Sequence, residues 1–149
     1  MAVGKVTVLN AALKKIGGGV IDLDTNAFKV ALLESGQSID ATFTGVSGDA
    51  RFSDLTDEAS GTGYTAGGEA LANVTWNQIG AVVTFGADPS TWTALDVTAK
   101  YGMIYKNGGN NDLLAFFDVD DSLPAGRVIS GTAFTINWTG GMFTLTRID

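Results

Sequence analysis

The chain has 149 residues and a mass of 15.4 kDa, enough for one domain that buries about 68–70% of its unfolded surface without staples. It contains no cysteine and no histidine, which excludes disulfides, thiolate metal sites, Ser-His and Cys-His nucleophile pairs and the usual zinc ligands. Nine basic against sixteen acidic residues give a net charge of −7, which opposes binding to a nucleic-acid backbone.

Only 17% of the residues are charged while 45% are apolar, a balance that points to surface buried in an assembly. No apolar run approaches the eighteen or so residues of a membrane span, and no basic segment leads into a signal-type apolar core near the start. The expectation is a chain that is neither membrane-bound nor exported by its own signal. No pair of acids on one strand face suggests carboxylate chemistry, so no catalytic residue, cofactor or metal is expected.

Residues 1–19 read as a helical or extended segment. Val6, Leu9, Leu13 and Ile16 recur at spacings of three and four, which predicts one apolar helical stripe with Lys14 and Lys15 in its last turn and Gly17 to Gly19 ending it. The valines at 3, 6 and 8 are poor helix formers, and a short strand followed by a shorter helix competes with that reading.

Next, VIDLDTNAFKVALLES predicts an extended start, a polar turn at Asp24 to Asn26, and a strand with Phe28, Val30 and Leu32 on one face. Asp22, Asp24 and Asn26 imitate the first ligands of a calcium loop. Ala27 stands where glycine is needed, and Glu34 arrives one place late for the closing ligand, so a solvated turn is the better reading. Residues 35–73 form a long Gly/Ser/Thr-rich loop region, expected to hold brief strands or to be held by a partner. Phe43, Phe52 and Leu55 are its candidate interface residues.

Within that region, SGTGYTAGGEAL satisfies the dinucleotide pattern G-x-G-x-x-G/A through Gly61, Gly63 and Ala66. The pattern binds a pyrophosphate only between an apolar strand and a helix. Here acids precede it and β-branched residues follow. The expected role is structural: Gly61, Gly63, Gly67 and Gly68 permit positive φ or close backbone approach, and Tyr64 anchors the turn.

From residue 74 onward strands dominate: NVTW, AVVTF and DVTAKYGMIYK, the last with Val97, Ala99, Tyr101, Met103 and Tyr105 alternating. NGGNN turns the chain into LLAFFDV, apolar on both faces and expected to be a central strand. A last hairpin is predicted from AFTINW, the turn TGG and MFTLTRI, with Phe134, Ile136 and Trp138 on one face. The fold expected is mainly β, an antiparallel β-sandwich of jelly-roll or related type with a short N-terminal helix, forming one domain over residues 1–149.

Three other patterns have ordinary explanations. Asn73-Val-Thr75 and Asn137-Trp-Thr139 match the glycosylation pattern but lie in predicted strands. Trp76, Trp92 and Trp138 with Tyr64, Tyr101 and Tyr105 could stack on sugars, yet their alternating apolar neighbours favour core packing. Asp118, Asp120 and Asp121 lack a fourth ligand and read as a solvated loop.

Taken together, NAFKVALLES, GTGYTAGGEAL, VTAKYGMIYK, LLAFFDV and GTAFTINWTGGMFTL, in this order, resemble a group of small β-rich tailed-phage virion proteins. The likeness spans nearly the whole chain and is carried chiefly by GTGYTAGG followed by the IYK strand. Ile39 to Arg51 departs from the pattern by its greater length. The resemblance implies a structural protein without chemistry, in the manner of jelly-roll cement proteins. Such a protein decorates the outer surface of the head, binds the major capsid protein or other virion proteins, and self-associates as a dimer or trimer. A tail, neck or fibre component is the alternative within the same particle, and a carbohydrate-binding β-sandwich the alternative outside it.

Overall fold

A computed structural model describes residues 4–138 and 140–148. In chain order the elements are β1 (Thr7–Val8), α1 (Asn10–Gly17), β2 (Phe28–Leu33), a single 3-10 turn (Phe52–Asp54), β3 (Glu69–Ala70), β4 (Thr75–Ile79), β5 (Val82–Gly86), β6 (Ser90–Ala99), β7 (Tyr101–Lys106), β8 (Leu113–Asp118), β9 (Arg127–Ile136) and β10 (Phe143–Thr146). They form three antiparallel sheets, ordered β1-β8-β7-β2-β3, β10-β5-β4 and β6-β9. The expected antiparallel β-sandwich with a short N-terminal helix is therefore the fold observed.

The five-stranded sheet carries the apolar centre of the molecule. LLAFFD does become a central strand: β8 lies between β1 and β7, and Leu113, Leu114, Ala115 and Phe117 are buried, which uses both of its faces. Gly102 on β7 sits under the Phe117 ring with no room for a side chain, so the aromatic packs directly on backbone. Ring contacts join the sheets. Phe28 of β2 meets Phe85 of β5 edge-on at 5.2 Å, and Phe117 meets Trp138 at 5.4 Å.

The N-terminal segment resolves as the competing reading had it, a two-residue strand and then an eight-residue helix. The expected stripe is rotated. Leu9 and Ala12 are buried and Ile16 packs beside them, whereas Leu13 is 58% exposed. Lys15 explains the shift: its ammonium reaches inward to the Asp112 carboxylate at 2.5 Å and to the Asp49 carbonyl, drawing that side of the helix against the sheet.

Two other expectations are corrected. Residues 20–23, expected to enter the polar turn at Asp24 to Asn26 as a strand, form none. The terminal hairpin also does not form. A turn closes there through the Gly141 amide and the Trp138 carbonyl, but β9 pairs with β6 and β10 pairs with β5, so the two strands enter different sheets. The reason is aromatic. Phe143 stacks on Phe85 at 5.0 Å while Phe134 packs against Trp92 at 5.8 Å, which pulls the chain apart on either side of the glycines.

Candidate functional site

The glycine–tyrosine segment lies against backbone rather than opening a cradle. Thr62 offers its carbonyl to the Asp96 amide at 2.9 Å, and a Cβ at Gly61 or Gly63 would overlap the carbonyl oxygens of Asp96 and Ala94. The loop thus covers the outer edge of β6. It then crosses to β2, where Gly68, at φ +75°, lies so close to the Val30 carbonyl that no side chain fits.

Tyr64 locks the crossing. Its hydroxyl accepts the Leu32 amide of β2 at 3.0 Å and donates to Glu58 Oε1 at 2.8 Å; the same oxygen accepts the Gly67 amide at 2.6 Å. Tyr105 of β7 donates to the Gly67 carbonyl at 2.7 Å, and Phe52 stacks on its ring at 4.3 Å. Burial, together with the Glu58 carboxylate, pushes the Tyr64 phenol far above its ordinary value, so the hydroxyl stays protonated and donating. The structure therefore joins Gly61, Gly63, Tyr64, Gly67 and Gly68 into one clasp over β2, β6 and β7. Tyr105 and Glu58 complete it. The long-range role of Glu58 had no local sequence signal.

Removing one hydroxyl should be felt. Tyr64→Phe leaves the Leu32 amide without its acceptor and is expected to cost about 1–3 kcal/mol, read as a lower urea midpoint at unchanged slope. A midpoint unchanged within error would show that the clasp contributes nothing.

The candidate interface residues are placed differently from an exposed patch. Phe43, Phe52 and Leu55 are partly buried and pack against the core. The loop around them is held within the chain. Asp54 accepts from the Ser47 amide at 2.8 Å, the Ser47 hydroxyl at 2.6 Å and the Arg51 amide at 2.8 Å, while Gln37 bridges the Asp54 carbonyl and the Thr56 amide. Gly36 donates to the Asp57 carboxylate. Val46, at the loop tip, is almost fully exposed.

These aspartates set an acid limit. Burial pushes the Asp54 carboxyl up, but the hydrogen bonds from Ser47 and Arg51 outweigh it and hold the group below its ordinary value. Thr25 does the same for Asp22, Thr42 for Asp40, Arg51 with Lys15 for Asp49, and Ser122 with Arg127 for Asp120. Each binds its proton more weakly folded than unfolded, so the stabilisation is intact above the unfolded carboxylate value of about 3.9 and is lost as pH falls through the folded values. The melting temperature should hold from neutrality to about pH 5 and drop below about pH 4. Asp54→Asn should lower it at neutrality and shallow the acid slope.

No cation cluster forms among the described residues from three or more acidic groups. Asp22 spends its carboxylate on the Asp24 and Thr25 amides of its own turn. Asp118 pairs with Lys100 at 2.8 Å, and Asp120 with Arg127 at 3.0 Å. The tryptophans do not make a stacking platform. Trp92 and Trp138 are 2% and 6% exposed, and Trp76 is half-buried near Phe85. Asn73 donates to Asp88 at 2.6 Å. Thr139, in the second glycosylation pattern, lies outside the described residues.

Several apolar side chains stand exposed along the sheet edges. Ile79, at the end of β4, is 83% exposed, and Leu145, Ile148 and Val128 are also exposed. Val83 and Leu145 are cross-strand partners that extend the Phe85–Phe143 face beyond the core. An open groove of about 430 Å³ runs across all three strands of this sheet beside Gln78, Val83 and Leu145. Such an arrangement can bind another chain.

The chain matches no family model, and no curated protein or solved structure matches it.

Proposed function

We propose that this chain is a structural protein of a tailed-phage virion, a decoration or cement protein that binds noncovalently across capsid subunits on the outside of the head and performs no catalysis. The observation that supports it most is the clasp. GTGYTAGG and the IYK strand, the most specific motifs of the resemblance, meet where Tyr105 donates to the Gly67 carbonyl, beside the bond that ties Tyr64 to β2. Exposed apolar residues on β4, β9 and β10 supply contact surface, and a stable contact needs on the order of 800 Å² per partner. A charge of −7 keeps such a protein off packaged DNA.

The test uses purified particles of the phage that encodes the chain. The protein should copurify with heads in many copies, and heads stripped of it should lose resistance to heat and dilution. A few copies confined to one vertex would assign it to the tail, neck or fibre instead. Stripped heads as resistant as intact ones would remove the cementing role.

A further inference from the structure

The two edges of the β6-β9 ribbon are treated differently. The Gly-Thr-Gly loop covers the outer edge of β6, as described, whereas β9 has β6 as its sole sheet partner among the described residues. A groove of about 390 Å³ runs along β9 and is lined by residues of that strand alone, from Arg127 to Thr135. At ten residues β9 is twice the length of β4, and its one charged side chain, Arg127, is engaged by Asp120. Long edges without charge or proline are the ones that accept another strand.

The register says which strand. Pairing with β6 is irregular around Leu95: Val97 faces Ile129, Leu95 faces Thr132 and Trp92 faces Phe134. The extra residue in β9 falls at Ser130–Gly131, where Gly131 has φ +59°. Arg127 and Ile129 therefore lie on the inner face before it and Phe134 and Ile136 after it, with Thr132 on that side of the strand but exposed, so the alternation of faces reverses midway along the strand. A regular strand laid against β9 would match its faces in one half and oppose them in the other. A second β9 carries the same reversal.

We infer that β9 is a self-pairing edge: two copies of this chain join antiparallel about a twofold axis at Thr132, with the Ser130–Gly131 bulge of each copy opposite the partner's Ala133, forming a continuous β6-β9-β9-β6 sheet. In that register Ile129 faces the partner's Phe134 and Arg127 the partner's Ile136, all inward, so the apolar layer continues across the axis. Ser130 faces the partner's Ala133 and Val128 the partner's Thr135, all outward. The full length of both strands overlaps. The neutral edge lets two chains of charge −7 approach where most of the surface repels. This inference deepens the self-association that the resemblance to virion proteins implies and rests on it, not on the attachment to heads.

The experiment reads mass by light scattering on the purified chain across a concentration series. Wild type should approach twice 15.4 kDa as concentration rises. Ser130→Lys with Ala133→Lys places like charges opposite each other twice across the axis and should weaken association on the order of tenfold or more. Ser130→Lys with Ala133→Glu makes both pairs attractive and should keep the dimer. Both positions, Ser130 and Ala133, are exposed, and an unchanged far-ultraviolet dichroism spectrum checks that each variant is folded. A wild-type mass fixed at one chain, a trimeric mass, or equal association of the two double variants overturns the inference. A monomer that still binds heads would overturn it while leaving the decoration role standing; a dimer that ignores heads does the reverse.

Discussion

Gly68→Ala is expected to lower the stability of this protein by about 2–5 kcal/mol and its melting temperature by roughly 10 °C. Two costs add. At φ +75° an alanine pays the left-handed penalty of about 1–2 kcal/mol, and its methyl must also displace the Val30 carbonyl or the Ala31 backbone of β2. Gly109→Ala separates them, because Gly109 has φ +61° and nothing within 4 Å of where its Cβ would lie. It should lose only the conformational part. Equal losses at the two sites would mean that close approach of the clasp to β2 is not what the glycine serves.

Phe85→Ala is expected to cost about 3–5 kcal/mol, the range for emptying a buried aromatic site. Phe85 is fully buried and touches rings on three strands: Phe28 at 5.2 Å, Phe143 at 5.0 Å and Trp76 at 6.5 Å. Its loss should loosen the three-stranded sheet first, since Phe28 is the ring through which that sheet meets β2. Amide exchange should then accelerate in β4, β5 and β10 more than in β7 and β8. Uniform acceleration everywhere would show that the sheets unfold as one unit.

Much of this fold was legible in short-range pattern. Period-two alternation marked β2 and β7, though it ran on through Lys100, where the structure breaks the chain into two sheets; a run apolar on both faces marked β8, NGGNN marked the β7–β8 turn, and the flanks of SGTGYTAGGEAL pointed away from a phosphate site toward the backbone contacts that Gly61, Gly63 and Gly68 make. Partners distant in sequence were not legible. Nothing local to Lys15 announces Asp112, nothing local to Tyr64 announces Leu32, and so the helix face was misjudged and the clasp only half described. The terminal hairpin failed for the same reason: turn chemistry at TGG is real, but Trp92 and Phe85 decide where the flanking strands go. Composition alone made residues 35–73 look in need of brief strands or a partner, because an Asp that binds amides and an Asp that faces water are the same letter.

That last segment has a consequence for recognition. Chain that is threaded by Asp54, Gln37 and Asp57 has already surrendered its conformational freedom during folding. Docking through the Val46 tip would then freeze few additional torsions, and more of the contact energy would survive as affinity. Preorganisation of this kind favours a partner with a matching, equally rigid relief over one that must be wrapped.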